Sequence, residues 1–355
     1  VFDRPGSTRP LALLRIVLGP VVLAHLGPFL ADSLRGITYL DRFHTPWLEI
    51  LPEVPGAVQV VLIWTGAVAA VALALGWHTR LVAPLTFACV AGNLFLSQTH
   101  FRHNRAFLLF LLATVALGES SRVLSLDARR RRRQNRPLPE SATIWPLWLL
   151  RVLVSSVYFA SGFSKLIDPD WAGGLVLWDR AVRYQELMRE RLPAGPLTDL
   201  AVDIVTTRWV HAVTSPVAVA MELFIAFGLW SSRTRLAAVW VAVLFHLSIE
   251  LSASVEVFSL AAIGALVIWL TPVSRDRTVT VADGTWIRRL DWFARFDVHE
   301  EPGAELSVVD RDGTRRQGAD ARRLVASRLP LTFFVVAPIA ALTRLRGVRA
   351  WRIVR

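Results

Sequence analysis

Apolar residues fall in long blocks along this chain, separated by short stretches dense in arginine. Blocks at 11–31, 58–76, 81–99, 105–118, 144–164, 211–230, 235–251 and 255–272 are almost free of charge. A helix needs about 20 apolar residues to cross the ~30 Å core of a bilayer, where it must satisfy its own backbone hydrogen bonds. The pattern therefore predicts a mainly α fold, a polytopic helical membrane bundle of about eight spans. Its first block is long enough to stay as a span rather than act as a cleaved leader. Arg4, Arg9 and Arg15 form the positive flank of that span. Segments 32–57 and 165–209 read as loops, the first interfacial and carrying Tyr39, Phe43, His44 and Trp47.

After Pro272 the pattern becomes charged, with strand-like Thr278–Val281 and Leu306–Val309, a helix over Trp286–Phe296 and a turn at Asp312-Gly313. This predicts a small C-terminal α/β unit, so the expected domains are 1–275 and 276–355. The run Leu329–Leu342 holds Pro330 and Pro338 and is short for a span. It reads as a helix buried in that unit or lying on the membrane, with a ninth span as the alternative.

Composition supports the membrane reading: 54% of residues are hydrophobic, 14 are tryptophan, and mean hydropathy is +0.44. The net charge of +12 would suggest nucleic acid in a soluble chain, but the arginines lie between apolar runs. They are assigned to topology and membrane lipid, and no nucleic-acid partner is expected. Arg129–Arg133, five arginines in a row, are read as a cytoplasmic anchor on anionic lipid. That makes the chain a multi-pass cell-membrane protein with both termini cytoplasmic. The exception is Phe101–Arg105, a basic cluster that the same count places outside. The single cysteine, Cys89, excludes an intrachain disulfide framework and a thiolate metal site, and no metal is expected.

Candidate chemistry begins at Lys165, the only lysine in the chain. Arginine stays protonated, whereas a lysine in a low-dielectric site can lose its proton and act as a base. The structural alternative is a helix-end cation that snorkels and pairs with Asp168 or Asp170. Ionisable residues inside spans usually face a cavity or one another. Here they are His25, Glu222, His246, Glu250 and Glu256, with Asn93 as a neutral partner. His246 and Glu250 share a helix face, as a hydrogen-bonded pair or as two metal ligands, which are too few for a site. Glu222 either neutralises an arginine such as Arg15 or Arg151 or takes part in chemistry. On this topology most of them lie toward the outer half of the bilayer, and a cavity there with a lysine, a histidine and carboxylates would suit proton abstraction from a weak acid dissolved in lipid, such as a hydroquinone.

VYFASGFSKLIDPDW at 157–171, LALLRIVLG at 11–19, HNRAFLLFLL at 103–112 and FHLSIELSASVEVFS at 245–259 occur in this order. Together they resemble the horizontally transferred transmembrane (HTTM) group and the vitamin K-dependent γ-glutamyl carboxylases within it. The resemblance implies a chamber that faces outward, with a reduced quinone, vitamin K or menaquinone, as cofactor. It assigns Lys165 as the base, His103, Arg105 and His246 as catalytic companions, and Trp171, Glu250 and Phe258 to the cofactor. It further implies oxygen addition, proton removal from a substrate glutamate, and CO2 addition. Arg105 stands where the carboxylases have a histidine, and a fixed cation cannot accept a proton. No segment resembles the domain that grips clotting-factor propeptides, so such substrates are not expected.

The stretch VTVADGTWIRRLDWFARFDV resembles a thioredoxin-like family named for an Asp-x-x-Cys-x-x-Cys motif, which Asp283 would open. Residues 284–290 hold no cysteine, so the unit is expected to stabilise or dock rather than exchange thiols. Two functions follow from the resemblances. One is a quinone-dependent epoxidase or carboxylase-type enzyme modifying an exported peptide. The other is a non-enzymatic maturation or immunity partner of a small secreted peptide. A transporter ranks behind both, since no inverted repeat or paired broken helices are visible.

Overall fold

The computed structural model describes residues 5–333 apart from 51, 254, 273, 274 and 276, together with 335, 336 and 339. The chain divides into two compact units, Val1–Trp269 and Leu270–Arg355.

The first unit starts with a short strand, β1 (Pro5–Ser7), and helix α1 (Arg9–Leu34), which carries Pro10 in its first turn, where no backbone donor is needed. Helices α2 (Gly56–Leu75), α3 (Thr79–Phe95) and α4 (His103–Leu117) follow. The five arginines form the C-terminal turns of α5 (Leu126–Arg133). Its first turn is capped by Ser125 Oγ, which accepts from Ala128 N at 2.9 Å, and its cations sit at the negative end of the helix. Strand β2 (Ser141–Thr143) pairs antiparallel with β1, and helix α6 (Trp145–Ile167) begins directly after it.

The segment 165–209, expected to be a loop, is helical. It holds α7 (Pro169–Ala172), α8 (Leu175–Arg183), α9 (Gln185–Arg191) and α10 (Pro196–Val205). These helices are short, and charged faces break up their apolar positions, so a membrane-span pattern misses them. The unit ends with α11 (Arg208–Gly228), α12 (Arg235–Ser252), α13 (Phe258–Ala265) and α14 (Val267–Leu270). Helices α1, α2, α6, α11 and α12 are long and apolar enough to cross a membrane. The other three apolar blocks form the shorter helices α3, α4 and α13–α14. Helices α1–α4 pack as consecutive neighbours, α6 packs on α11 and α11 on α12, while α13 lies against α1, α4 and α12.

Arg15 is fully buried inside this bundle rather than standing at its flank. Its Nη1 donates to the carbonyls of Leu73 at 2.5 Å and Ala74 at 2.7 Å, its Nη2 to Leu124 O at 2.6 Å, and its Nε to Ser120 O at 3.3 Å. A helix C-terminus leaves carbonyls unpaired, and Arg15 satisfies those of α2 where the chain turns away at left-handed Gly76. Arg151 likewise donates to a carbonyl, Ile268 O at 2.9 Å, and lies between the rings of Trp148 and Trp269. Glu222 neutralises neither arginine.

The second unit is a four-stranded sheet of β3 (Thr278–Val281), β4 (Asp297–Glu300), β5 (Ser307–Val309) and β6 (Arg315–Gln317) in the order β4-β3-β5-β6. The β3/β4 pair is parallel and the other two pairs are antiparallel. Helices α15 (Thr285–Leu290) and α16 (Gly318–Ala326) complete a core around Val279, Ile287, Phe296, Val308 and Val325. The helix expected over Trp286–Phe296 ends at Leu290. Leu329, which opens the Leu329–Leu342 run, joins this core. Apart from 335, 336 and 339, that run beyond Phe333 lies outside the described residues.

Candidate functional site

Gly162 lets α6 and α11 approach closely, since a Cβ there would stand 3.1 Å from both Glu222 Cβ and a Leu223 methyl. One turn later on α6, Lys165 Nζ reaches Glu222 Oε1 at 2.7 Å. Ser161 Oγ donates to the same oxygen at 3.0 Å. Glu222 is 3% exposed, and its Oε2 is buried with no hydrogen-bond partner among the described residues. A buried carboxylate is tolerated only when paired and hydrogen-bonded, so the lysine and the serine explain its presence there. The tie to Asp168 or Asp170 does not form. Asp168 instead caps α7, accepting from Asp170 N at 2.9 Å.

Aromatic rings wall the amine: its Nζ lies 4.7 Å from the Trp171 centroid and 6.0 Å from that of Phe245. Trp171 is held by its own backbone, whose carbonyl accepts from Ser215 Oγ on α11. The turn that follows is pressed onto α11 as well. Gly174 has φ +76°, and a Cβ there would lie 2.4 Å from the carbonyl carbon and oxygen of His211. Only glycine meets both demands.

Two turns before Lys165, Tyr158 Oη and His246 Nε2 share a 2.7 Å hydrogen bond. His246 is fully buried, lies within electrostatic range of Lys165, and has no partner for Nδ1 among the described residues. The expected His246–Glu250 pair does not form, because Tyr158 on the facing helix takes the imidazole. Glu250 keeps a buried Oε1 without a partner among the described residues, and its carbonyl accepts from Arg191.

Arg105 belongs to a different cluster. Its Nε and Nη2 form a bidentate pair with Glu256 at 2.8 and 3.0 Å, its Nη1 donates to His100 O at 2.7 Å, and its guanidinium lies over Phe29. Among the described residues no hydrogen bond, ion pair or ring contact joins it to Lys165. Phe258 stands between the two clusters, its ring 5.6 Å from His246 on one side and 5.6 Å from Phe107 on the other. His103 is exposed, edge-on to Phe101. The residues assigned from the resemblance thus divide: Lys165, Trp171 and His246 gather around one centre, while Arg105 and His103 lie apart from it.

Tyr158 and Ser161 were not singled out in the sequence, although positions 158, 161 and 165 are spaced i, i+3, i+7 on one face of α6. That spacing was visible in the stretch that carries Lys165. The chemistry available is proton movement along a short amine–carboxylate contact, with a second carboxylate oxygen free to pass the proton on. Compared with known proteins, residues 3–273 match the family model of the HTTM domain. No curated protein and no solved structure gives a significant match.

Proposed function

Because the chain belongs to the HTTM family of integral membrane proteins, we propose that Lys165 and Glu222 form the proton-handling centre of a membrane enzyme that acts on a reduced quinone. The observation carrying this reading is the 2.7 Å contact between Nζ and Oε1, with Oε2 buried and without a hydrogen-bond partner among the described residues. A proton passing from Nζ to Oε1 leaves a neutral amine, the form able to take a proton from a weakly acidic hydroxyl. Ser161 steadies the accepting oxygen, and Oε2 offers the route onward. Trp171 and Phe245 supply flat walls, and Glu222 Oε2 and His246 Nδ1, which have no partner among the described residues, supply polar ends. These residues fit an aromatic ring bearing hydroxyl groups. When bound, a reduced quinone would contribute that hydroxyl and the electrons that activate oxygen.

Carboxylation of an exported peptide would need a further proton handler, and Arg105 is committed to Glu256. That commitment favours one second reading, a non-enzymatic maturation or immunity partner of a secreted peptide. We read the topology as eight spans in the cell membrane with both termini cytoplasmic, supported by eight apolar helical blocks and by the arginines of α5. The C-terminal unit reads as thioredoxin-like, supported by its strand order with one parallel and two antiparallel pairs. Without cysteines in 284–290 it serves as a docking or stabilising module.

The test uses purified protein in nanodiscs with reduced menaquinone or vitamin K and oxygen. Quinone epoxide should form, and Lys165→Arg should abolish it while leaving the fold intact. Turnover that survives Lys165→Arg refutes the proposal. No turnover, together with co-purification of a small secreted peptide, favours the second reading.

A further inference from the structure

Arg105 lines a cleft of about 200 Å³, set between the C-terminal half of α1, the loop after it, the start of α2 and the start of α4. The function proposed above uses none of it. Three arginines, Arg42, Arg102 and Arg105, line this cleft against one acid, Asp32. Arg42 is paired with Asp32 at 2.8 Å and Arg105 with Glu256. Arg102 is exposed, and its side chain takes no partner among the described residues. His100 also lines the cleft, and its Nδ1 is taken by Asn93 O at 3.2 Å. Helix α4 begins beside Arg102 with no side chain capping its first turn, which leaves its positive end open on the same side.

The remaining lining mixes apolar Phe29, Ile37, Phe43 and Ile63 with polar Thr38, Tyr39, Gln59 and Thr99. Phe43 is 86% exposed, and next to the cleft Trp47 packs on Phe95 and Phe101 in a half-exposed aromatic group. Exposed aromatic rings at helix ends mark the headgroup level of a bilayer. The cleft also lies at the opposite end of the bundle from α5, because α3 runs from the Asp127 contact near α5 to the loop that lines the cleft. A basic lip beside apolar side chains at headgroup level suits an amphiphile with an anionic head. Guanidinium forks match the oxygens of a phosphate.

We infer that this cleft binds a phospholipid, with its phosphate between Arg42, Arg102 and Arg105 and its first chain carbons against Phe29 and Phe43. Arg102 supplies the uncommitted charge, so affinity should follow that residue most closely. The full chain, delipidated in detergent, is titrated in parallel with phosphatidylglycerol, phosphatidylcholine and inorganic phosphate, with bound lipid counted by native mass spectrometry and stability followed by thermal shift. Phosphatidylglycerol should bind and stabilise. Arg102→Glu should weaken it about tenfold, Arg102→Lys should restore most of the binding, and Arg35→Glu, at an exposed arginine outside the cleft, should leave it unchanged. Equal losses in Arg102→Glu and Arg35→Glu would mean general surface charge and overturn the proposal. Stabilisation by inorganic phosphate with no lipid retained would assign the cleft to a free anion and also overturn it. The Arg102 side chain has no partner among the described residues, and its backbone bonds at the start of α4 survive substitution, so a folded variant is expected for every arm.

Discussion

Replacing Lys165 by methionine removes the ammonium from a carboxylate that is 3% exposed and leaves Ser161 as its one hydrogen-bond partner among the described residues. Breaking a buried pair by deleting one member costs about 3–5 kcal/mol, because the remaining charge stays desolvated. The lysine side chain is 19% exposed, which places the expected loss at the lower end, about 3 kcal/mol. Glu222→Gln leaves a partly solvated ammonium and should cost less, about 1–2 kcal/mol. With both changes made, neither charge is stranded, and the double variant should lie within about 1 kcal/mol of the parent. The coupling between the two sites is then about 3 kcal/mol, against the 0.2–1 kcal/mol typical of an exposed ion pair. Reversible SDS unfolding in mixed micelles, followed by tryptophan fluorescence, measures all four corners of the cycle. Coupling below about 1 kcal/mol would mean that water screens the pair and that Lys165 and Glu222 form no desolvated proton-handling centre.

Three further outcomes are expected. Gly174→Ala places a Cβ against the His211 backbone at a φ of +76° and should cost about 2 kcal/mol in the same unfolding assay; an unchanged midpoint would show that the turn does not press on α11. Arg15→Met strips four carbonyls of their donor and should cost about 3 kcal/mol or more, with no rescue by Arg15→Lys, since one ammonium cannot span Leu73, Ser120 and Leu124. Burial pushes the Asp127 carboxyl up, but hydrogen bonds from Thr79 N, Thr79 Oγ1 and His78 N, with help from Arg131, outweigh it and hold the carboxyl below its ordinary value of 3.8. Its contribution should therefore be complete above pH 3.8 and vanish as pH falls through the lower folded value, and Asp127→Ala should remove about 1 kcal/mol of stability at pH 7 but little at the acid end.

Much of the helical layout was legible because membrane spans write themselves as uninterrupted apolar blocks. The Lys165 site was legible only in part. Its chemistry shows in composition, as one lysine in a chain that otherwise uses arginine, but its partner does not. Asp168 and Asp170 are nearer along the chain, yet Glu222 wins because Gly162 draws α6 onto α11, a contact that no local pattern encodes. Arg15 misled for a related reason. A basic residue near the start of an apolar run reads as a flank, whereas here it caps the far end of the next helix. Arg105 and Glu256 each looked out of place on its own. Their pairing depends on how α4 meets the loop before α13, and sequence spacing is silent about that. The helices α7–α10 were missed because short amphipathic turns carry too many charges to stand out against blocks of twenty apolar residues.

The small clasp between β1 and β2 fixes a parity. It holds the starts of α1 and α6 side by side, with Thr8 donating to the Glu140 carbonyl through both N and Oγ1. Arg15 ties the end of α2 and the chain beyond α4 to that same end of the bundle, and Asp127 ties the start of α3 there. At the opposite end, Tyr39 N donates to Gln59 Oε1 near the start of α2, and Thr45 N donates to Ser97 Oγ just beyond the end of α3. Four helices therefore shuttle between the same two ends, out and back twice. The shorter helices α3 and α4 thus run the same course within this unit as α1 and α2. The start of β1 and the stretch between α4 and α5 therefore lie at the same end of the unit.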